Sequence, residues 1–198
     1  SESAAATAAL SDAPVDAIAQ EAEGRRRRLL VADMDSTIVT SETLDELAAY
    51  AGLKEKIAEI TRRSMNGELD FAQALRERVG MLKGLSTEAL ERTWETTVLM
   101  PGAATLVATM RAHGAFCCLA SGGFTFFTGR VAARIGFDLH VSNTLLEEGG
   151  KLTGTVAEPI FDRDSKLSTL KRLAAEHGLP LTATLAVGDG ANDLAMIQ

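Results

Sequence analysis

Asp33-Met34-Asp35-Ser36-Thr37 sets two carboxylates one residue apart, directly after the apolar run Leu29-Leu30-Val31-Ala32. A run of this kind reads as a buried strand. Two acids at its carboxyl end repel each other and lose hydration unless a cation or a proton offsets them. In open α/β sheets that strand end is also where ligands bind. Taken alone, Asp-Ser-Thr suits a turn or a helix cap equally well. A second apolar strand, Leu185-Ala186-Val187, runs into Gly188-Asp189-Gly190-Ala191-Asn192-Asp193, again with acids just past its end. Between the two, a strand from Phe116 to Ala120 delivers Ser121-Gly122-Gly123, whose amides in a turn would form an anion nest. Lys166 lies near the start of a predicted helix. The set is a carboxylate cluster for a divalent cation, a hydroxyl with amides for phosphate, and one lysine point charge. Phosphoryl transfer needs those parts.

In this order, Asp33-x-Asp35-x-Thr37, Ser121-Gly122, Lys166 and Gly188-Asp189-Gly190-x-Asn192-Asp193 resemble the haloacid dehalogenase superfamily of phosphatases. The flanking stretches are similar to those of its phosphoserine-hydrolysing members. They are Met65-Asn66-Gly67-x-Leu69-x-Phe71, Leu75-Arg76-Glu77-Arg78-Val79, Pro101-Gly102 and Ala120-Ser121-Gly122-Gly123-Phe124. The resemblance covers about Arg28 to the last residue. It implies Asp33 as nucleophile and Asp35 as general acid, then base. It also implies Mg²⁺ held by Asp33, the backbone carbonyl of Asp35, and Asp189. Ser121, Gly122, Lys166 and Asn192 would contact the substrate, and Asp193 would orient its neighbours. Glu42 would take an amino group, and Met65 and Phe71 would line the pocket. Arg78 falls at i+7 of an apolar stripe from Phe71 that includes Leu75, Val79 and Leu82. An arginine there either packs its stem and sends its head to water, or meets a planar carboxylate inside the site.

The elements that must position these residues fall into three parts. Residues 1–27 read as a linker or N-terminal extension, with a short helix from Asp12-x-Pro14 through Glu23. Members of the resembled family often carry an ACT-type regulatory domain in this position. Residues 40–98 read as a small helical cap inserted after the first strand. Thr40 and Ser41 would cap its first helix, Asp70 its third and Ser86 its fourth; the second runs from about Lys54 to Met65. Residues 28–39 and 99–198 form the catalytic core. It has a helix from Pro101-Gly102 to His113, the Phe116 strand, a helix near Phe127 to Ile135 and a strand near Leu139-His140-Val141. A hairpin from Leu145 to Val156, a helix from Ser165 to His177 and the last strand follow. Strands alternating with helices predict an α/β fold with a doubly wound parallel sheet. The chain ends five residues after Asp193, where the resembled family continues into another strand, so the C-terminus reads as truncated.

The 198 residues carry a net charge of −7, which argues against a basic nucleic-acid surface. The one dense basic run, Arg25 to Arg28, reads as a solvated lead-in to the first strand. Cys117 and Cys118 are adjacent in a strand and read as buried small hydrophobes, not as a disulfide or metal pair. No stretch reaches the ~18 apolar residues of a membrane span. The N-terminal segment lacks the basic-then-apolar order of a leader. These points predict a cytoplasmic protein with neither membrane nor nucleic-acid partner. His113, His140 and His177 are scattered and carry no assigned chemistry. The expected activity is Mg²⁺-dependent hydrolysis of the small molecule L-phosphoserine, serving serine biosynthesis; a homodimer is left open. A related phosphatase or phosphotransferase is the nearest alternative. The predicted cap argues against a signalling receiver domain, and the intact acids with Lys166 argue against an inactive binding relative.

Overall fold

Leu29, Leu30, Val31 and Ala32 are all fully buried, so β1 (Leu29–Ala32) has no solvent face. In the computed structural model of the chain it lies inside a four-stranded parallel sheet. Its neighbours are β2 (Phe116–Phe124) on one side and β6 (Thr184–Val187) on the other, with β3 (Leu139–Asn143) beyond β2. The structure describes residues 10, 22–65 and 68–198, without the side chains of 58, 64 and 65. The helix expected from Asp12 to Glu23 lies almost wholly outside the described residues.

Side chains alternate across β1, and each face has its own helices. Leu30 and Ala32 pack in one cluster with Val107 of α5 (Ala103–Ala112) and with Phe127 and Val131 of α6 (Thr125–Ile135). Leu29 and Val31 pack in the other with Leu170 and Leu173 of α7 (Arg163–Glu176) and Met196 of α8 (Leu194–Ile197). The adjacent cysteines divide in the same way, Cys117 to the first cluster and Cys118 to the second. From β1 the chain builds outward to β2 and β3, then returns to place β6 on the opposite edge. The order therefore reverses between β1 and β6, and a crevice opens at their carboxyl ends.

Four helices intervene before α5: α1 (Thr43–Tyr50), α2 (Lys54–Met65), α3 (Phe71–Gly80) and α4 (Glu88–Thr96). Leu47, Ile57, Leu75, Val79, Leu82 and Leu90 from this group join the sheet's first cluster, so no solvent layer separates them from it. Asp70 caps α3 as expected, in a reciprocal capping box with Gln73. Ser86 lies before the first turn of α4, and its hydroxyl accepts from the Glu88 amide at 3.3 Å. The expected capping of α1 by Thr40 and Ser41 is not observed; the helix begins at Thr43 with Glu42 at the cap position.

The hairpin of β4 (Leu145–Glu148) and β5 (Lys151–Val156) turns at Gly149 and Gly150, both with positive φ. Its edge joins the α3–α4 connection. The Gly84 amide donates to the Leu152 carbonyl, the Leu152 amide to Leu85, and the Thr87 amide to Gly150, at 2.8 to 3.0 Å. Two surface ion pairs tie the helical layer to the core further, Arg76 of α3 to Glu158 just after the hairpin at 2.8 Å and Glu91 of α4 to Arg130 of α6 at 2.7 Å. Arg76 thus faces away from the crevice, as its place off the apolar stripe predicts. Among the described residues no helix is long and apolar enough to cross a membrane.

Candidate active site

The loop after β1 is tied at both ends. The Asp33 amide donates to the Val187 carbonyl at 2.9 Å, holding β1 and β6 in step where the crevice begins. The Met34 carbonyl accepts from the amides of Thr37, Ile38 and Val39, closing a tight turn. Ser36 sits in that turn at φ 54, the one non-glycine with positive φ among the described residues. That conformation costs about 1–2 kcal/mol for an L-residue. With the chain bent this way, four successive polar side chains diverge. Asp33 accepts from Lys166, Asp35 accepts from the Thr43 amide at 3.0 Å, Ser36 donates to Glu42 at 2.7 Å, and Thr37 donates to Asp189 at 2.8 Å. The Asp35 carboxylate thereby satisfies the first amide of α1, which is why Thr40 and Ser41 are not needed as caps.

Lys166 is brought to the base of the crevice by α7, whose first turn is fixed by Asp162 accepting from the Ser165 amide at 2.9 Å. The ammonium is 1% exposed, at 2.9 Å from Asp33 Oδ1 and 2.7 Å from Asp193 Oδ1. Asp193 is fully buried and also accepts from the Gly190 amide. Asp33, Asp189 and Asp193 present carboxylate oxygens within 4.8 Å of one another. Three carboxylates facing one lysine leave an excess of negative charge that a divalent cation matches, and all-oxygen donors suit Mg²⁺ or Ca²⁺. Burial pushes the Asp33 carboxyl up to about 6, against the pull of Lys166 and with a further push from Asp193. Asp35 rises to about 7, again mainly by burial, with the Thr43 amide opposing and the Glu42 charge adding.

A cleft of about 160 Å³ lies above these groups. Asp33, Asp35, Glu42, Phe71, Arg78, Ser121, Gly122, Asp189 and Asn192 all line it, so the structure gathers these predicted residues in one place. Lys166 and Asp193 stand behind the wall. The side chain of Met65 lies outside the described residues. Ser121, Gly122 and Gly123 do not make the expected turn. β2 stays extended to Phe124, with its pairing to β3 interrupted between Ala120 and Phe124. The Gly123 amide is taken by the Ser121 hydroxyl at 2.9 Å, which replaces the anticipated amide nest by a hydroxyl on the cleft wall.

Close approach explains two glycines. A Cβ on Gly123 would lie 2.7 Å from Asp35 Oδ2, and one on Gly188 would lie 2.3 Å from Asp193 Cγ. Asn143, which sequence reasoning passed over, donates to the carbonyls of Gly122 and Phe161 and accepts from the Phe161 amide. It joins the serine wall to the segment leading into α7. Its strand, Leu139-His140-Val141-Ser142-Asn143, already mixes polar with apolar residues, so no local signal set it apart.

The haloacid dehalogenase-like hydrolase model matches residues 30–198, which include every one of these groups. The chain belongs to this hydrolase family. This haloacid dehalogenase-like hydrolase is 46% identical over 170 residues to the phosphoserine phosphatase of Streptococcus thermophilus, covering 86% of the chain and 79% of that protein. It is 42% identical over 174 residues to the phosphoserine phosphatase of Streptomyces coelicolor, covering 88% of the chain and 42% of that protein. The chain spans about half the length of several curated relatives it matches. A solved phosphoserine phosphatase carrying a phospho-aspartyl intermediate analogue superposes with TM-score 0.80 at 36% identity, covering 87% of this chain and 82% of that one.

The acids of this hydrolase give its stability a pH-dependent link to metal. Asp33 and Asp35 both titrate above their ordinary value of 3.8, so the folded state holds their protons more readily than the unfolded chain does. Their contribution to metal-free stability is full below about pH 4 and is lost as pH rises through about 6 and 7. A bound cation favours the ionised forms and opposes that loss. The rise in melting temperature on adding a divalent cation is therefore expected to grow from pH 5 to pH 8. A rise independent of pH would contradict this account.

Proposed function

We propose that the chain hydrolyses L-phosphoserine to L-serine and phosphate through a phosphoaspartyl intermediate on Asp33. One observation carries the reading. The same small cleft is lined by Asp33, Asp35 and Ser121 and by a carboxylate and a guanidinium, Glu42 and Arg78, between which there is no ion pair among the described residues. A phosphorylated amino acid carries the matching charges: phosphate, ammonium and carboxylate. The similarity to phosphoserine phosphatases over nearly the whole chain supports the same substrate. The reaction would serve serine biosynthesis in the cytoplasm.

An Asp33 oxygen bonds to phosphorus as the bond from phosphorus to the serine oxygen breaks. Asp35, held protonated near neutrality by its raised pKa, delivers its proton to that oxygen. Serine leaves as a neutral alcohol. Asp35, now ionised, takes a proton from water as the water oxygen attacks phosphorus, and Asp33 is released. Lys166 stays between Asp33 and Asp193, fixing the attacking carboxylate and offsetting charge behind it. Asp33, Asp189 and the Asp35 carbonyl would hold Mg²⁺, which would draw charge from the phosphoryl oxygens, with Asp193 behind them on Lys166 and the Gly190 amide. Ser121 would donate to one of those oxygens, and Asn192 would contact the substrate from the β6 side.

The reading is tested by following phosphate release from L-phosphoserine, phosphorylated sugars and an aryl phosphate, with Mg²⁺ and with excess chelator. Phosphoserine is expected to be preferred, and release to stop in chelator. Arg78→Lys keeps the charge but loses the planar fork. It should lower kcat/KM for phosphoserine by about 10- to 100-fold, as expected for a charge-assisted bidentate contact. The aryl phosphate, lacking a carboxylate, should lose far less. Equal losses on both substrates would make Arg78 a packing residue and remove the amino-acid half of the proposal.

A further inference from the structure

We propose that Ser36 is a positioning residue for substrate selection, which keeps Glu42 from collapsing onto Arg78. The inference rests on the amino-acid reading of the cleft. A site for a zwitterion must hold a negative and a positive group side by side without letting them neutralise each other. Glu42 and Arg78 line one cleft, and Glu42 is among the acids whose charge acts on the half-buried Arg78. Yet among the described residues no ion pair joins them. Each is restrained from elsewhere. Arg78 Nε donates to the Ala74 carbonyl at 3.2 Å, one turn back on its own helix. Glu42 occupies the cap position of α1 but makes no side-chain bond to the helix amides, the usual use of an acceptor there. Its Oε1 accepts instead from the Ser36 hydroxyl at 2.7 Å.

The backbone gives independent support. Ser36 sits at φ 54, where glycine is the relaxed choice. A residue kept in that conformation points to a use for its side chain. The bond to Glu42 is the use available, because the Ser36 hydroxyl reaches across the turn that joins the catalytic loop to α1. Without it, the Glu42 carboxylate is free to seek the guanidinium, and the cleft loses its sites for ammonium and carboxylate together.

Ser36→Gly removes the hydroxyl and accepts the left-handed backbone, so the fold is retained. Steady-state kinetics on wild type, Ser36→Gly, Glu42→Gln and the double variant, with L-phosphoserine and an aryl phosphate, test the inference. Ser36→Gly is expected to lower the ratio of kcat/KM for phosphoserine to that for the aryl phosphate about tenfold, mainly through KM. Added to Glu42→Gln, it should change the ratio no further, because the hydroxyl acts through Glu42. A wild-type ratio for Ser36→Gly overturns the inference, even where Glu42→Gln lowers it. A full additional loss in the double variant also overturns it, since Ser36 would then act by another route. If Glu42→Gln itself leaves the ratio unchanged, the amino-acid reading of the cleft falls as well.

Discussion

Replacing Asp33 by asparagine is expected to lower kcat by about 10⁴-fold or more while leaving a folded protein, since the amide is isosteric but cannot attack phosphorus. The fold survives because Lys166 keeps its bond to Asp193 at 2.7 Å, so no buried ammonium is left without a carboxylate. Rapid acid quenching of the wild type with labelled phosphoserine should trap a hydroxylamine-sensitive acyl phosphate, and the Asp33→Asn protein should trap none. A verified Asp33→Asn protein that turns over at more than a few per cent of the wild-type rate would move the nucleophile elsewhere.

Lys166→Met should act on stability as well as on rate. The substitution fills similar space but leaves Asp33 and Asp193 facing each other behind the cleft without their shared cation. Breaking a buried pair in this way typically costs about 3–5 kcal/mol, because the remaining charge is uncompensated. Part of the cost is recoverable by protonation, and Asp33 already titrates near 6 by burial, with Lys166 opposing that rise. The loss in urea denaturation should therefore be large at pH 7.5 and smaller at pH 5. A divalent cation should also return part of it at the higher pH. Equal stability of variant and wild type at pH 7.5 would mean that Lys166 is dispensable to the carboxylate cluster.

The parts of this site that could be read from sequence are those announced by chain-local patterns. Asp33 and Asp189 follow apolar strands directly; either alone suits a turn or cap, and it is their recurrence together with Ser121 and Lys166 that marks a ligand site. Arg78 was distinguished from Arg76 by helical spacing alone, and the structure puts one in the cleft and the other on Glu158 at the surface. What escaped depends on contacts across the chain. The start of α1 was placed too early because its first amide is satisfied by Asp35, eight residues back, and not by an adjacent hydroxyl. The Ser121 to Gly123 turn was wrongly expected because two glycines favour bending. Here their missing Cβ atoms serve close approach to Phe71 and Asp35 within an extended strand. Asn143 was invisible because its three bonds reach Gly122 and Phe161, and nothing in its own neighbourhood marks it.

The bond between the Thr43 amide and Asp35 has a consequence for timing. The α3–α4 half of the helical layer is stitched to the hairpin and to the surface pairs at Glu158 and Glu91, whereas the first turn of α1 is fastened to the catalytic loop itself. Any outward swing of α1 that widens the entrance must strip the amide from Asp35 and release its carboxylate from alignment. An open site is thus an unarmed one. On the proposed mechanism, water arriving during entry or exit would meet no aimed proton acceptor, and hydrolysis of the acyl phosphate would wait until α1 is fastened to Asp35 again.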